Sequence, residues 1–145
     1  MRILGIDPGE KRIGVAISDP TGTIANPVTV IAHSSRAKDA TAIIAIAVEN
    51  QAERIIVGQS LDEEGIPNPQ GRSAARLAEV IRELTNLPVE LWDESGSTQT
   101  ARAARIAMGV SRKKRRGHLD EIAATVILQN YLDAHANSED LIHPE

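Results

Sequence analysis

Ile3-Leu4-Gly5-Ile6-Asp7-Pro8-Gly9-Glu10-Lys11-Arg12-Ile13-Gly14-Val15-Ala16-Ile17-Ser18 is the stretch that decides the fold. Residues 2–6 and 13–18 are apolar runs of strand length, and the Pro8-Gly9 step between them supplies a bend. The connection, residues 7–12, is short enough for the two strands to be antiparallel neighbours. A second turn, Asp19-Pro20-Thr21-Gly22, leads into a third extended piece over 23–31, so the chain opens as a three-stranded meander.

Beyond residue 35 the apolar period lengthens. Ala37, Ala40, Ile43, Ile44, Ala47 and Val48 predict one stripe of a helix over 35–51. Residues 54–58, Arg-Ile-Ile-Val-Gly, read as a short buried strand, and strand after helix suggests a parallel addition to the sheet. The Gly-, Pro- and acid-rich segment 59–71 reads as a loop, followed by a helix with Ala74, Leu77, Ala78, Ile81 and Leu84 inward. Residues 88–92 predict another strand, and Ser97 or Thr98 caps a helix over 99–108 that Gly109 closes. The last helix is expected over 118–134, with Leu119, Ile122, Ala123, Val126, Ile127 and Tyr131 inward. The order is βββαβαβαα, in a single domain over 1–136 with a polar tail over 137–145.

A chain of 145 residues buries a core without disulfides, and this one has no cysteine. With no signal-like segment before the first strand and no apolar run near the roughly 20 residues of a membrane span, a soluble cytoplasmic protein is expected. A net charge of −4 argues against coating nucleic acid by bulk attraction. Within that acidic total, however, Arg112-Lys113-Lys114-Arg115-Arg116 forms a concentrated basic block. Trp92 and Tyr131 are the whole aromatic inventory, so any polyanion is expected to be held through phosphate charge and shape rather than base stacking.

Three acids stand at element ends. Asp7 closes the first strand, Glu94 follows the strand over 88–92, and Asp120 lies at the start of the last helix. In sheets with crossover helices, ligands collect at the carboxyl ends of strands, where such acids can converge. Carboxylate oxygens suit Mg²⁺ or Mn²⁺, and ions so held assist phosphodiester hydrolysis. Spacing alone leaves a second reading open, in which Asp7 serves the turn, Glu94 is a solvated strand end and Asp120 favours the helix dipole.

Ile6-Asp7-Pro8-Gly9-Glu10-Lys11-Arg12-Ile13-Gly14-Val15-Ala16 resembles the signature of the ribonuclease H-like Holliday junction resolvase family often called YqgF or RuvX. Members are also implicated in maturing the ends of pre-16S ribosomal RNA. The likeness continues in order through Ile56-Val57-Gly58 with Leu61 and Gly65, Leu91-Trp92-Asp93-Glu94 with Ser97-Thr98, Lys114 with Asp120 and Ala123-Ala124, and Ile127-Leu128-Gln129-Asn130-Tyr131-Leu132. It implies an α/β fold with a mixed five-stranded sheet in the order 3-2-1-4-5, the second strand antiparallel. It also implies Asp7, Glu94 and Asp120 as catalytic acids and ligands of Mg²⁺ or Mn²⁺. Two positions depart from the family pattern: Ser60 stands where a proline is usual, and Ser95-Gly96 where Arg-Leu is usual. The missing arginine removes a candidate phosphate or acid partner.

Within that resemblance, Lys11 and Arg12 in the first turn and Arg112, Lys113, Lys114, Arg115 and Arg116 are the candidate nucleic-acid contacts, Lys114 first among them. Gly5, Gly9 and Gly14 serve either close approach of a phosphate backbone or turn and packing. Asp19 reads as a turn residue, Trp92 as packing, and 62–65 as an exposed acidic loop. His33, His118, His135 and His143 lack compact metal-ligand spacing, although His118 is close to Asp120 in sequence. The expected activity is a metal-dependent endonuclease on structured nucleic acid, acting on precursor ribosomal RNA or, as a dimer with two sites, on four-way DNA junctions. Monomer and homodimer both remain open. A sugar-kinase or actin-like phosphotransferase would need two copies of this unit, and a silent ribosome-maturation factor would not need all three acids.

Overall fold

The computed structural model describes residues 1–94 and 119–142, with the backbone alone at 119–121 and 137–142. Its elements are β1 (Ile3–Pro8), β2 (Arg12–Ser18), β3 (Ala25–Ala32), α1 (Arg36–Glu49), β4 (Arg54–Gln59), α2 (Pro69–Leu84), β5 (Val89–Asp93) and α3 (Leu119–Ile142). The helix expected over 99–108, its caps and Gly109 lie outside the described residues.

The strands form one five-stranded sheet in the order β3-β2-β1-β4-β5. β1 pairs antiparallel with β2, placing Asp7 opposite Gly14, and parallel with β4, placing Ile6 opposite Val57. β5 adds parallel to β4, with Gly58 opposite Trp92 and Gln59 opposite Asp93. Pro27, which has no N–H for a ladder, sits on the edge strand β3. The ribonuclease H-like topology expected from the sequence is the one observed.

Alternation along the strands gives the sheet two different faces. Leu4, Ile6, Ile13, Val15, Ile17, Ile55, Val57 and Val89 pack against Ala40, Ile43 and Ala47 of α1 and Ala74, Leu77, Ala78 and Ile81 of α2. Ile3, Ala16 and Ile56 face α3 through Ala124, Ile127, Leu128, Tyr131 and Leu132. A Cβ on Gly5 would lie 2.8 Å from Leu128 Cβ, so the bare glycine lets α3 settle close to the strand. Polar ties fix its position. Gln129 accepts from the Ala25 amide at 2.9 Å and donates to the Thr23 carbonyl at 2.9 Å, while Arg54 donates to the Tyr131 hydroxyl at 2.8 Å.

Three helix readings are corrected. In α1 the buried stripe is Asp39, Ala40, Ile43 and Ala47, whereas Val48 is 69% exposed, because Asp39 finds partners at the helix start. α2 begins at Pro69 rather than after Gly71: the Asn68 side chain accepts from the Gly71 amide at 2.8 Å, and proline suits a first turn that lacks intrahelical donors' partners. On α3 the fully buried positions are 124, 127, 128, 131 and 132 rather than 122, 123 and 126. That helix is apolar over most of its circumference, so periodicity could not choose the docking face; the glycine-lined strands and the Gln129 and Tyr131 bonds do. α3 also runs on to Ile142, past residue 134, with no glycine or proline before Pro144. Among the described residues, no helix is long and apolar enough to cross a membrane.

Candidate active site

Asp7 follows Ile6 on β1, so alternation turns its side chain to the α3 face, at the carboxyl edge of the parallel strands. Glu94 comes to the same place from β5. Its backbone N–H donates to the Gln59 carbonyl at 3.1 Å, extending the β4–β5 pairing by one residue. The two carboxyl groups are hydrogen-bonded to each other. Glu94 is pushed above the ordinary carboxylate range, first by burial and further by the nearby Asp93 charge, against the lowering effect of its bond to Asp7.

Gly58 makes this arrangement possible. A Cβ there would lie 2.8 Å from Glu94 Oε2, 2.9 Å from Ile127 Cδ1 and 3.4 Å from the Ile6 carbonyl oxygen. The glycine therefore leaves the floor on which the Glu94 carboxyl rests, with α3 closing one side. In the sequence Gly58 stands only as the end of Ile56-Val57-Gly58; its role depends on three segments meeting over one Cα.

Two carboxyl groups in direct contact cannot both stay charged without a shared proton or a neighbouring cation. Their donors are all oxygen, one of them is desolvated, and they stand at the carboxyl end of the parallel strands: a set that fits a hard divalent cation such as Mg²⁺ or Mn²⁺. Among the described residues, no three His, Cys, Asp or Glu side chains gather into a fuller cluster. Asp120 lies in the first turn of α3, where only the backbone is described.

The hairpin cations Lys11 and Arg12 are exposed at the same edge of the sheet. Gly9 serves the turn itself, since its N–H donates to the Arg12 carbonyl at 2.9 Å and a Cβ would meet that oxygen at 2.4 Å. The basic block at 112–116, His118 and Ser95-Gly96 lie outside the described residues. Ser60, the other departure, has a local function: its hydroxyl accepts from Asn68 Nδ2 at 2.7 Å, tying the end of β4 to the cap of α2. Asp19 accepts from the Thr23 and Ile24 amides at 2.8 and 2.9 Å, and these backbone donors, Ile24 foremost, hold its carboxyl far below the usual range. Asp62 likewise accepts from the Glu64 and Ile66 amides. Both acids are turn-formers. Trp92 packs edge-on against Tyr131, ring centres 5.1 Å apart.

The family model for RuvX, described as Holliday junction resolvase, matches residues 1–134. The chain belongs to the RuvX family. Curated relatives span its length: a "Putative pre-16S rRNA nuclease" of Thermoanaerobacter pseudethanolicus is 44% identical over 138 residues, covering 94% of this chain and 99% of the relative. A protein of the same name from Myxococcus xanthus is 35% identical over 145 residues, covering 100% and 96%. Among solved structures, RuvC of Thermus thermophilus in complex with Holliday junction substrate aligns with a TM-score of 0.58 at 18% identity, over 94% of this chain and 96% of that one. The fowlpox virus Holliday junction resolvase gives 0.54 at 16%, over 92% and 99%. At these identities the solved structures speak for the RuvX chain's fold alone.

Proposed function

We propose that this RuvX-family chain is a divalent-metal-dependent endonuclease of structured nucleic acid whose substrate is the 5′ end of precursor 16S ribosomal RNA. The observation that carries the reading is the Asp7–Glu94 pair, two hydrogen-bonded carboxyls on one face of the sheet edge. Asp120 is the proposed third acid, and Asp7, Glu94 and Asp120 are the proposed ligands of Mg²⁺ or Mn²⁺. A bound ion of this kind supplies Lewis acidity at a phosphodiester. The chain's own residues do the rest. Gly58 and the Gln59 carbonyl hold Glu94 in place, and positive charge entering beside its desolvated carboxyl favours the ionised form of the pair. Lys11, Arg12 and the block Arg112, Lys113, Lys114, Arg115 and Arg116 position the phosphate backbone.

The rRNA substrate is supported by the names of the full-length relatives. The family's description supports a second reading, resolution of four-way DNA junctions, which calls for a homodimer presenting two sites; a monomer suffices for one cut in RNA. A cysteine-free chain suits a reducing cytoplasmic setting.

The test incubates the purified chain with Mn²⁺ or Mg²⁺ and two substrates, a small-subunit rRNA precursor and a synthetic four-way junction, alongside Asp7→Asn. Cutting of the precursor at its 5′ end that Asp7→Asn abolishes is the expected result. Cutting of the junction alone selects the second reading. No cleavage of either, or equal cleavage by the variant, overturns the nuclease assignment or its dependence on Asp7.

A further inference from the structure

On the opposite side of the β1–β2 hairpin from the carboxylate pair lies a cleft of about 470 Å³. Pro8 and Gly9 form one wall, the start of α1 contributes Arg36, the start of α2 contributes Gln70 and Ser73, and His33 enters from the end of β3. None of these polar groups is needed by the Asp7–Glu94 site.

The cleft is built around an oriented histidine. Asp39 is 3% exposed, and its carboxylate accepts from the Ser34 amide at 3.0 Å and from His33 Nδ1. The imidazole is thereby fixed through one nitrogen while its side chain stays 44% exposed, leaving Nε2 as the ring's outward polar atom. That atom accepts a hydrogen bond when the ring is neutral and donates one when it is charged. Phosphate oxygens match only the second state; a ribose 2′-hydroxyl, both donor and acceptor, matches either.

Charge points the same way. Arg36 lines the cleft and is exposed, and the Lys11 carbonyl accepts from the His33 amide at 2.9 Å, joining the backbone of the hairpin to the segment that carries His33. Arg36 and Lys38 occupy the first turn of α1 together with the buried Asp39. Glu10 also lines the cleft, and the buried Asp39 carboxyl is bonded to His33. Arg36 is thus the cation of the cleft lining, and His33, Gln70 and Ser73 present polar groups to a sugar's hydroxyls.

We propose that this cleft binds one ribose-phosphate unit of the substrate strand, its phosphate on Arg36 and its 2′-hydroxyl on His33 Nε2, as the strand passes over the hairpin from the Asp7–Glu94 pair. This rests on the nuclease reading above and adds to it a sugar-discriminating contact. The same chemistry is found in a free ribonucleotide, which the test separates.

Binding of a short RNA strand, the matching DNA strand and adenosine 5′-monophosphate is measured with the full chain in EDTA, so that no metal-dependent cleavage intervenes. The wild type is expected to prefer RNA. Arg36→Ala should weaken both strands about tenfold and lower the slope of log affinity against log salt by about 0.7. His33→Gln should weaken RNA by roughly five- to tenfold while leaving DNA unchanged, so that the preference disappears. Thermal melting checks that His33→Gln still folds, and Arg36→Ala keeps the test decisive because it leaves the His33–Asp39 contact in place. Arg2→Ala, at the opposite edge of the sheet, serves as the charge control. Strand affinity and RNA preference that survive both cleft substitutions overturn the proposal, and continued precursor cleavage then leaves the nuclease reading intact. Tighter binding of the mononucleotide than of the strand overturns the strand assignment. A wild type that neither binds nor cuts overturns both readings.

Discussion

The two faces of the sheet are built from different material. Toward α1 and α2, the strands present Leu4, Ile6, Val15, Ile55 and Val57, side chains that interlock with the helices and leave a cleft only at the hairpin end. Toward α3 the same strands present Gly5, Ala16, Ile56 and Gly58, and at their carboxyl ends Asp7 and Glu94. Large residues make the first face a source of stability; Gly5 and Gly58 make the second a close docking surface with space at its end for two carboxyls. The lesson is that one strand serves both purposes by alternation, with adjacent residues Ile6 and Asp7 belonging to different jobs.

The sharpest way to break this comparison is at Asp7. Asp7→Asn should lower precursor cleavage by about a thousandfold or more in single-turnover assays while the melting temperature stays near that of the wild type. On the other face, Ile43→Ala should cost about 3 kcal/mol in urea unfolding through the cavity it leaves, with the cleavage rate of the folded molecules unchanged. A comparable loss of rate from Ile43→Ala would show that the faces are not separable. Gly58→Ala crosses the boundary between them. Its methyl group would displace Glu94 Oε2 and Ile127 Cδ1, lowering the cleavage rate by about a hundredfold with only modest destabilisation.

The smallest expected effect concerns Glu94 alone. Its carboxyl is raised in the folded protein, so the folded state binds that proton more tightly than the unfolded chain does. Stability should therefore fall as pH rises from the ordinary glutamate range through the raised value. Glu94→Gln should remove that fall and raise the neutral-pH melting temperature by about 2–4 °C in metal-free buffer, even as cleavage is lost. Scanning calorimetry from acid to neutral pH checks the sign, and a variant less stable than wild type at neutral pH would contradict it. Adding Mn²⁺ should raise the melting temperature of the wild type more than that of Glu94→Gln.

Much of this was legible in the sequence because its signals are local. The Pro8-Gly9 bend, the period change after residue 35 and the strand-length apolar runs each depend on near neighbours, and the sheet order that the family resemblance implies is the one observed. Asn68 followed by Pro69 was also a readable helix start, although the acidic loop before it drew the expected boundary too late. The misses fall where a residue's role depends on a distant segment. Gly58 carries no local sign that Glu94 and Ile127 will meet above it, and nothing in the spacing of His33 and Asp39 shows that the turn from β3 into α1 will join them.

The sequence by itself determined which segments become strands and helices, and it marked Asp7 and Glu94 as acids at element ends. Tertiary structure alone decided that those two acids touch, because only the parallel addition of β5 to β4 brings Glu94 beside β1's end. It also chose the docking face of α3, since a helix apolar over most of its circumference needs the glycine-lined strands to tell its sides apart. Periodicity acts within a segment, whereas the carboxylate pair depends on contacts between segments.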